Sequence, residues 1–365
     1  IMFNNVFSGK KILITGNTGF KGSWLTLWLH SLGAKVVGVS KDIPTNPSLF
    51  ESLKIQDEIK HNFIDICSHE ELKKIFQDEN PDFVFHLAAQ AIVSSSYDSP
   101  IETVQTNAVG TLSVLESIRS LDNNCTAIII TSDKCYENVE WCYGYRENDR
   151  LGGKDIYSGS KAAAEAIIYS HFNSFLKDKE NINIGITRAG NVIGGGDWAK
   201  DRIVADCMRA WSEDNKVEIR SPNSTRPWQH VLEPLSGYLH LASVLSENKN
   251  LNGEAFNFGP NDSQNRTVLE LIEKLQNTWK YTKSPKIKIN QNNKFFESSL
   301  LKLNCDKALM NIGWLPNLNF EQTSLFVSSW YNNFFNQNED IYSFTLNQIN
   351  EYHEIAEKKG LIWTK

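Results

Sequence analysis

The 365-residue chain predicts an α/β fold: a doubly wound parallel sheet followed by a smaller C-terminal lobe. Three observations carry this. Short apolar runs alternate with longer amphipathic ones through the first half, as in βαβ units. The first run ends in a glycine-rich loop that opens into a helix. Beyond about Gly190 the alternation weakens and Gly, Asn, Pro and Trp cluster.

Taken in order, Lys11–Thr15 (KILIT) reads as the first strand, Phe20–Leu32 as a helix and Lys35–Val39 as the second strand. Further strands are expected at Phe83–Leu87, Ala127–Thr131 and Ile184–Thr187, with helices at Glu70–Gln77, Thr103–Leu121 and Tyr157–Leu176. The organisation is thus residues 1–188 as a dinucleotide-binding domain and 189–365 as mainly a substrate lobe. Loops and short helices are expected there, Ala255–Gly259 (AFNFG) could return a strand to the sheet, and Asn290–Lys294 reads as a surface loop.

Composition bounds the function classes. Hydrophobic residues are 41% and charged residues 22%, ordinary for a globular protein. The 37 basic and 43 acidic residues leave a net charge of -6, with no basic excess for a nucleic-acid backbone. There is no apolar run approaching a membrane span and no secretory signal pattern, so a cytoplasmic protein is expected. Ile1 ahead of Met2 enters no argument. Cys67, Cys125, Cys135, Cys142, Cys207 and Cys305 form no CxxC pair, so reduced thiols are expected, with no disulfide framework and no metal site.

The loop Thr15-Gly16-Asn17-Thr18-Gly19-Phe20-Lys21-Gly22 follows the first strand directly. Glycines there allow a tight turn and close approach of a pyrophosphate to the amides of a helix N-terminus. Three glycines alone are compatible with a plain strand-to-helix turn; the position after strand one points to a Rossmann-type dinucleotide site. Asp42, after the second strand, is the candidate acid for the adenosine ribose, and Lys41 beside it could accept a 2′-phosphate.

Tyr157 and Lys161 form a YxxxK pair one helical turn apart, 25 positions after Ser132 at the end of a predicted strand. Such a pair arises by chance, but no other tyrosine here has a lysine four residues on. A free phenol, with a pKa of about 10, needs about 4 kcal/mol of help to act as a base at pH 7. A lysine ammonium and an oxidised nicotinamide beside it would push in that direction. Asp133 and Lys134 come immediately after Ser132. As a turn they could be a solvated ion pair. As catalysts they supply an acid and a base, which removal of a carbon-bound proton and loss of a hydroxyl require.

Over nearly its whole length the chain resembles the nucleotide-sugar 4,6-dehydratases of the extended short-chain dehydrogenase/reductase superfamily. The resemblance runs through TGNTGFKGSWL at Thr15, HLAAQ at His86, TSDKCYEN at Thr131, GYRENDRLGG at Gly144, YSGSK at Tyr157, RAGNVIGGGDWAKDRI at Arg188 and RPWQHVLEPLSGY at Arg226. Lys134, where relatives usually have a second acid, points to the CDP-linked branch. The resemblance implies NAD as cofactor, held by Gly16, Thr18, Gly19, Phe20, Gly22, Asp42, Asp65, Ile66, Leu87, Ala88, Ala89, Asn107, Tyr157 and Lys161. It implies Ser132, Asp133, Lys134, Tyr157 and Lys161 as the catalytic set, and Asn191, Arg202 and Arg226 as ligands of a nucleotide-sugar pyrophosphate.

The implied reaction oxidises C4 of a nucleotide-linked glucose, eliminates water across C5 and C6, and returns the hydride to C6. Lys134 would need a pKa lowered from about 10.4 to serve as the base. Homodimers or homotetramers are usual in the family. Trp198 and Trp228 could stack on a sugar or base, although burial is the ordinary role of tryptophan. The chain departs from the branch at Ala91 and Ser94, where Pro-Leu-Val-Arg is usual, and at Lys154, where histidine is usual. A nucleotide-sugar 4-epimerase, which has no need of Asp133 and Lys134, and a non-catalytic dinucleotide sensor remain as other readings.

Overall fold

The computed structural model describes residues 2–219, 221–261, 264–282, 285–289 and 300–365; the expected Asn290–Lys294 loop lies outside them. Seven parallel strands form the central sheet: β1 (Lys11–Thr15), β2 (Lys35–Ser40), β3 (Lys60–Phe63), β4 (Phe83–His86), β5 (Cys125–Ile130), β6 (Ile182–Arg188) and β7 (Ala255–Asn257). Their order is β7-β6-β5-β4-β1-β2-β3, so the chain winds outward from β1 in both directions. The Ala255 run does rejoin the sheet, Phe256 standing opposite Thr187 of β6. Only β3 was not legible as a strand: KHNF is a half-exposed edge with no apolar run.

Side chains alternate between two cores, as a pleat requires. Ile12, Ile14, Phe83 and Phe85 face one core, whereas Leu13 and Val84 face the other. The second core is closed by α2 (His69–Glu79), α3 (Gly110–Arg119) and α4 (Ile156–His171). The expected helix Thr103–Leu121 is interrupted by a π-helical turn at Gln105–Val109, from which Asn107 points inward.

The first core is closed by α1 (Phe20–Ser31) and by helices from the C-terminal half: α5 (Ile203–Ser212), α6 (Leu232–Glu247), α7 (Val268–Thr278), α8 (Phe320–Asn336) and α9 (Ile341–Lys358). These correct the expectation of short helices, since α6, α8 and α9 run to 16, 17 and 18 residues. Capping boxes at Thr267/Glu270 and Asn319/Gln322 mark two of the starts. In α8 the apolar stripe Phe326, Val327, Trp330, Tyr331 is diluted by Ser and Asn. α1 is therefore buried on both sides: Trp28 packs edge-on against Tyr352 and Trp363, the latter stacked 5.4 Å from Phe3. Among the described residues no helix is long and apolar enough to cross a membrane.

Candidate active site

Parallel sheets bind ligands beyond the carboxyl ends of their strands. The loops after β1, β2, β4, β5 and β6 carry most of the residues singled out above.

The three loop glycines answer to different neighbours. Gly16 has φ +76°, and a Cβ there would stand 2.7 Å from Ala88 N. A Cβ on Gly22 would stand 2.0 Å from the Gly16 carbonyl oxygen. Both are required by the protein itself. A Cβ on Gly19 would meet only the Gly16 carbonyl, at 3.4 Å, so the fold leaves space in front of the α1 N-terminus. That space, lined by amides and free of a side-chain cap, fits a pyrophosphate.

Around it, Thr18 Oγ1 donates to the Asp42 carbonyl at 2.7 Å, tying the loop to the end of β2. The Asp42 side chain is exposed. Lys41 is held at 3.3 Å by both Asp65 and Glu102, an acidic setting that disfavours a 2′-phosphate beside it and agrees with the expected NAD. The Ile66 side chain is buried and lies over Gly110. Leu87, Ala88 and Ala89 follow β4, where Leu87 N donates to the Thr15 carbonyl. Asn107 accepts from Gln90 N at 2.9 Å and donates to the Gln90 carbonyl and Ser160 Oγ, so its side chain fixes the loop after β4 and a helix beneath it.

One cavity of about 490 Å³ is lined by Phe20, Ser132, Asp133, Lys134 and Tyr157, and also by Asn191, Arg202, Arg226 and Trp228. The structure thus brings the oxidising and the eliminating candidates together with the expected substrate ligands. Trp198 instead packs among Trp330, Tyr331 and Phe334 in the core.

Ser132 Oγ donates to Asp133 Oδ1 at 3.0 Å and accepts from Lys134 N at 3.2 Å, forming the cap of the turn 133–135. Arg202 pairs with Asp197 at 2.8 Å. The departures Ala91, Ser94 and Lys154 also line the cavity, with Ser94 Oγ donating to Asp201 at 2.8 Å.

A family profile described as GDP-mannose 4,6-dehydratase matches residues 13–324. The chain belongs to this family. The dehydratase-family chain is 42% identical over 352 residues to the CDP-glucose 4,6-dehydratase of Salmonella typhimurium, covering 95% of this chain and 97% of that protein. Its fold matches dTDP-glucose 4,6-dehydratase from Bacillus anthracis in complex with NAD, with a TM-score of 0.74 at 21% identity, covering 92% and 100% of the two chains. It also matches UDP-glucose 4-epimerase with UDP-glucose from Thermotoga maritima, with a TM-score of 0.74 at 22% identity, covering 89% and 99%.

The electrostatics of this dehydratase-family site differ from the expectation at one point. Burial, with Asp133 beside it, pushes the Tyr157 phenol up to about 12, against the opposing pull of the Ser132 hydrogen bond and Arg202. The protein alone therefore does not lower it. Burial brings the Lys161 ammonium down to about 8.

Sequence reasoning passed over Lys21, which lines the same cavity and is likewise brought down to about 8 by burial and then by Arg202. Its signal was a lysine inside an otherwise apolar helix start. His86 was also passed over: buried between Thr15 Oγ1 at 2.7 Å and Thr111 Oγ1 at 3.0 Å, it is held neutral by burial.

Proposed function

We propose that this chain converts a nucleotide-linked glucose, CDP-D-glucose, to CDP-4-dehydro-6-deoxy-D-glucose, with NAD as a recycled cofactor. One observation carries the reading: Asp133 and Lys134 share a cavity with Ser132 and Tyr157, and an oxidoreductase or epimerase has no use for the first two. The 42% identity to a CDP-glucose 4,6-dehydratase over nearly both full lengths supports CDP as the nucleotide.

NAD would be held by the Gly16–Gly22 loop and the α1 N-terminus, with the acids around Lys41 favouring it over a 2′-phosphorylated cofactor. Bound NAD supplies a hydride acceptor, later a hydride donor, and a positive charge beside the phenol. From about 12, forming the Tyr157 phenolate at pH 7 costs about 7 kcal/mol, so the cationic groups nearby are indispensable. Tyr157, assisted by Ser132 and Lys161, takes the proton of the C4 hydroxyl. The resulting ketone acidifies C5; Lys134 takes that proton, and Asp133 protonates the departing C6 hydroxyl. Asn191, Arg202 and Arg226 bind the substrate pyrophosphate.

The assay incubates the protein with NAD and a panel of nucleotide-glucoses and looks for a 4-keto-6-deoxy product by NMR. Substrate deuterated at C4 yields product deuterated at C6. A product that keeps its 6-hydroxyl and inverts C4 selects the epimerase reading.

We also propose a homodimer or homotetramer, in the cytoplasm. Self-association is supported by exposed Ile101, Val109, Leu112, Tyr169 and Phe175 along mutually packed helices, and a reducing compartment by Cys67, Cys125, Cys135, Cys142 and Cys207, none of which forms a disulfide. Sedimentation velocity gives the assembly state, and a monomer would reject it.

A further inference from the structure

Glu165 lies one helical turn beyond Lys161 and two beyond Tyr157 on α4, and it takes no part in the steps above. Its side chain is buried, and its bonds lead to the carboxyl edge of the sheet. Thr131 Oγ1 donates to Oε1 at 2.5 Å. Arg188, the last residue of β6, donates Nε to Oε1 at 2.8 Å and Nη2 to Oε2 at 2.9 Å. Its Nη1 donates to Tyr136 Oη at 2.8 Å and to the Glu147 carbonyl at 2.9 Å, and Tyr136 Oη donates to Asn257 Oδ1 at 2.7 Å. One ion pair thus joins the helix bearing Tyr157 and Lys161 to the residues on either side of the 132–135 turn.

Burying two charges costs several kcal/mol per ion, and well-packed apolar side chains often serve stability as well or better. Cohesion alone does not call for this pair. We infer that Glu165, clamped by Arg188 and Thr131, is a positioning residue that sets Tyr157 and Lys161 against the turn carrying Ser132, Asp133 and Lys134. The inference rests on the roles proposed above for those five side chains.

The clamp also has an electrostatic arm. Lys161 is surrounded by Tyr157 on its own helix, Lys21 on α1, His86 at the end of β4 and Cys135 on the turn. Burial lowers its ammonium, while Cys135 and Glu165 hold it up. Neutralising Glu165 removes that support and leaves Arg188 as an unbalanced cation. Lys161 then loses its proton at lower pH.

The test compares pH profiles of kcat and KM for CDP-D-glucose, with NAD present, in wild type, Glu165→Gln, Glu165→Asp and Thr131→Val. Glu165→Gln should move the alkaline limb of kcat down by about one pH unit. Glu165→Asp keeps the charge but shortens the arm, so kcat should fall by up to about 10²-fold with the limb unmoved. Thr131→Val leaves both charges paired, so it remains folded; kcat should fall while NAD affinity, read by tryptophan-fluorescence quenching, stays at the wild-type value. An unmoved limb in Glu165→Gln overturns the inference, as does wild-type kcat in Thr131→Val. If the glutamine variant does not fold, Thr131→Val decides. Wild-type protein that forms no 4-keto product rejects the proposed reaction and the inference together, whereas active wild type with unaffected variants rejects only the part given to Glu165.

Discussion

The Asp133 carboxylate rests against the Cα of Gly190: a Cβ at that glycine would stand 1.9 Å from Asp133 Oδ2. The residue two positions after β6 therefore shapes the acid that follows β5, across the C-terminal edge of the sheet. Gly190→Ala should push the carboxylate off Ser132 Oγ and lower dehydration by on the order of 10²-fold, while NAD binding persists. Steady-state rates with parallel NAD titration check this, and unchanged turnover would show that the carboxylate position is immaterial.

Cofactor binding and chemistry should separate by mutation. Gly19→Ala adds a methyl where the fold has space but a pyrophosphate would not, so the variant should keep its melting temperature and lose NAD affinity. Tyr157→Phe should do the reverse, keeping NAD and losing turnover by orders of magnitude. If both variants lose affinity and rate alike, the division of roles is wrong.

Lys134→Met removes the amine at similar volume and should spare oxidation while blocking elimination. Reduced-nicotinamide absorbance should then accumulate in a single turnover, and product formation should fall about 10²- to 10⁴-fold. Exchange of the C5 hydrogen with heavy water is the second readout. Wild-type exchange in the variant would transfer the role of base to a bound water or to Glu137.

Stability should decline on mild acidification. Burial holds His86 and His230 down at about 3, with Lys161 reinforcing it for His86. The unfolded imidazoles protonate near 6.5 and the folded ones do not. Their stabilisation is therefore complete above pH 6.5 and is lost as pH falls towards 3, by about 1.4 kcal/mol per pH unit each.

Glu233 acts in the opposite sense. Burial pushes it up to about 7, so its contribution is lost as pH rises from 4.5 to 7. Between 4.5 and 6.5 these three groups together leave a loss of about 1.4 kcal/mol per unit of acidification, to which burial of His61 and His240 adds and which burial of Glu147 opposes. The His230 ring packs edge-on against Trp24 and Phe326, so His230→Phe keeps those ring contacts and should lower the slope in urea unfolding by about 1.4 kcal/mol per pH unit. A slope equal to wild type would exclude His230 as a contributor.

The sequence by itself determined the doubly wound sheet, because buried parallel strands must be short apolar runs separated by stretches long enough for a crossover helix. KILIT, FVFHL and AIIIT meet that demand, and the glycine loop and YxxxK are local in sequence, so their spacing was legible. The tertiary structure decided what depends on residues far apart. It decided that Lys21 and Arg226 face one cavity, that Gly190 shapes Asp133, and that Glu165 finds Arg188. It also set the direction in which Tyr157 is shifted, because desolvation depends on what covers a side chain and not on what precedes it in the chain.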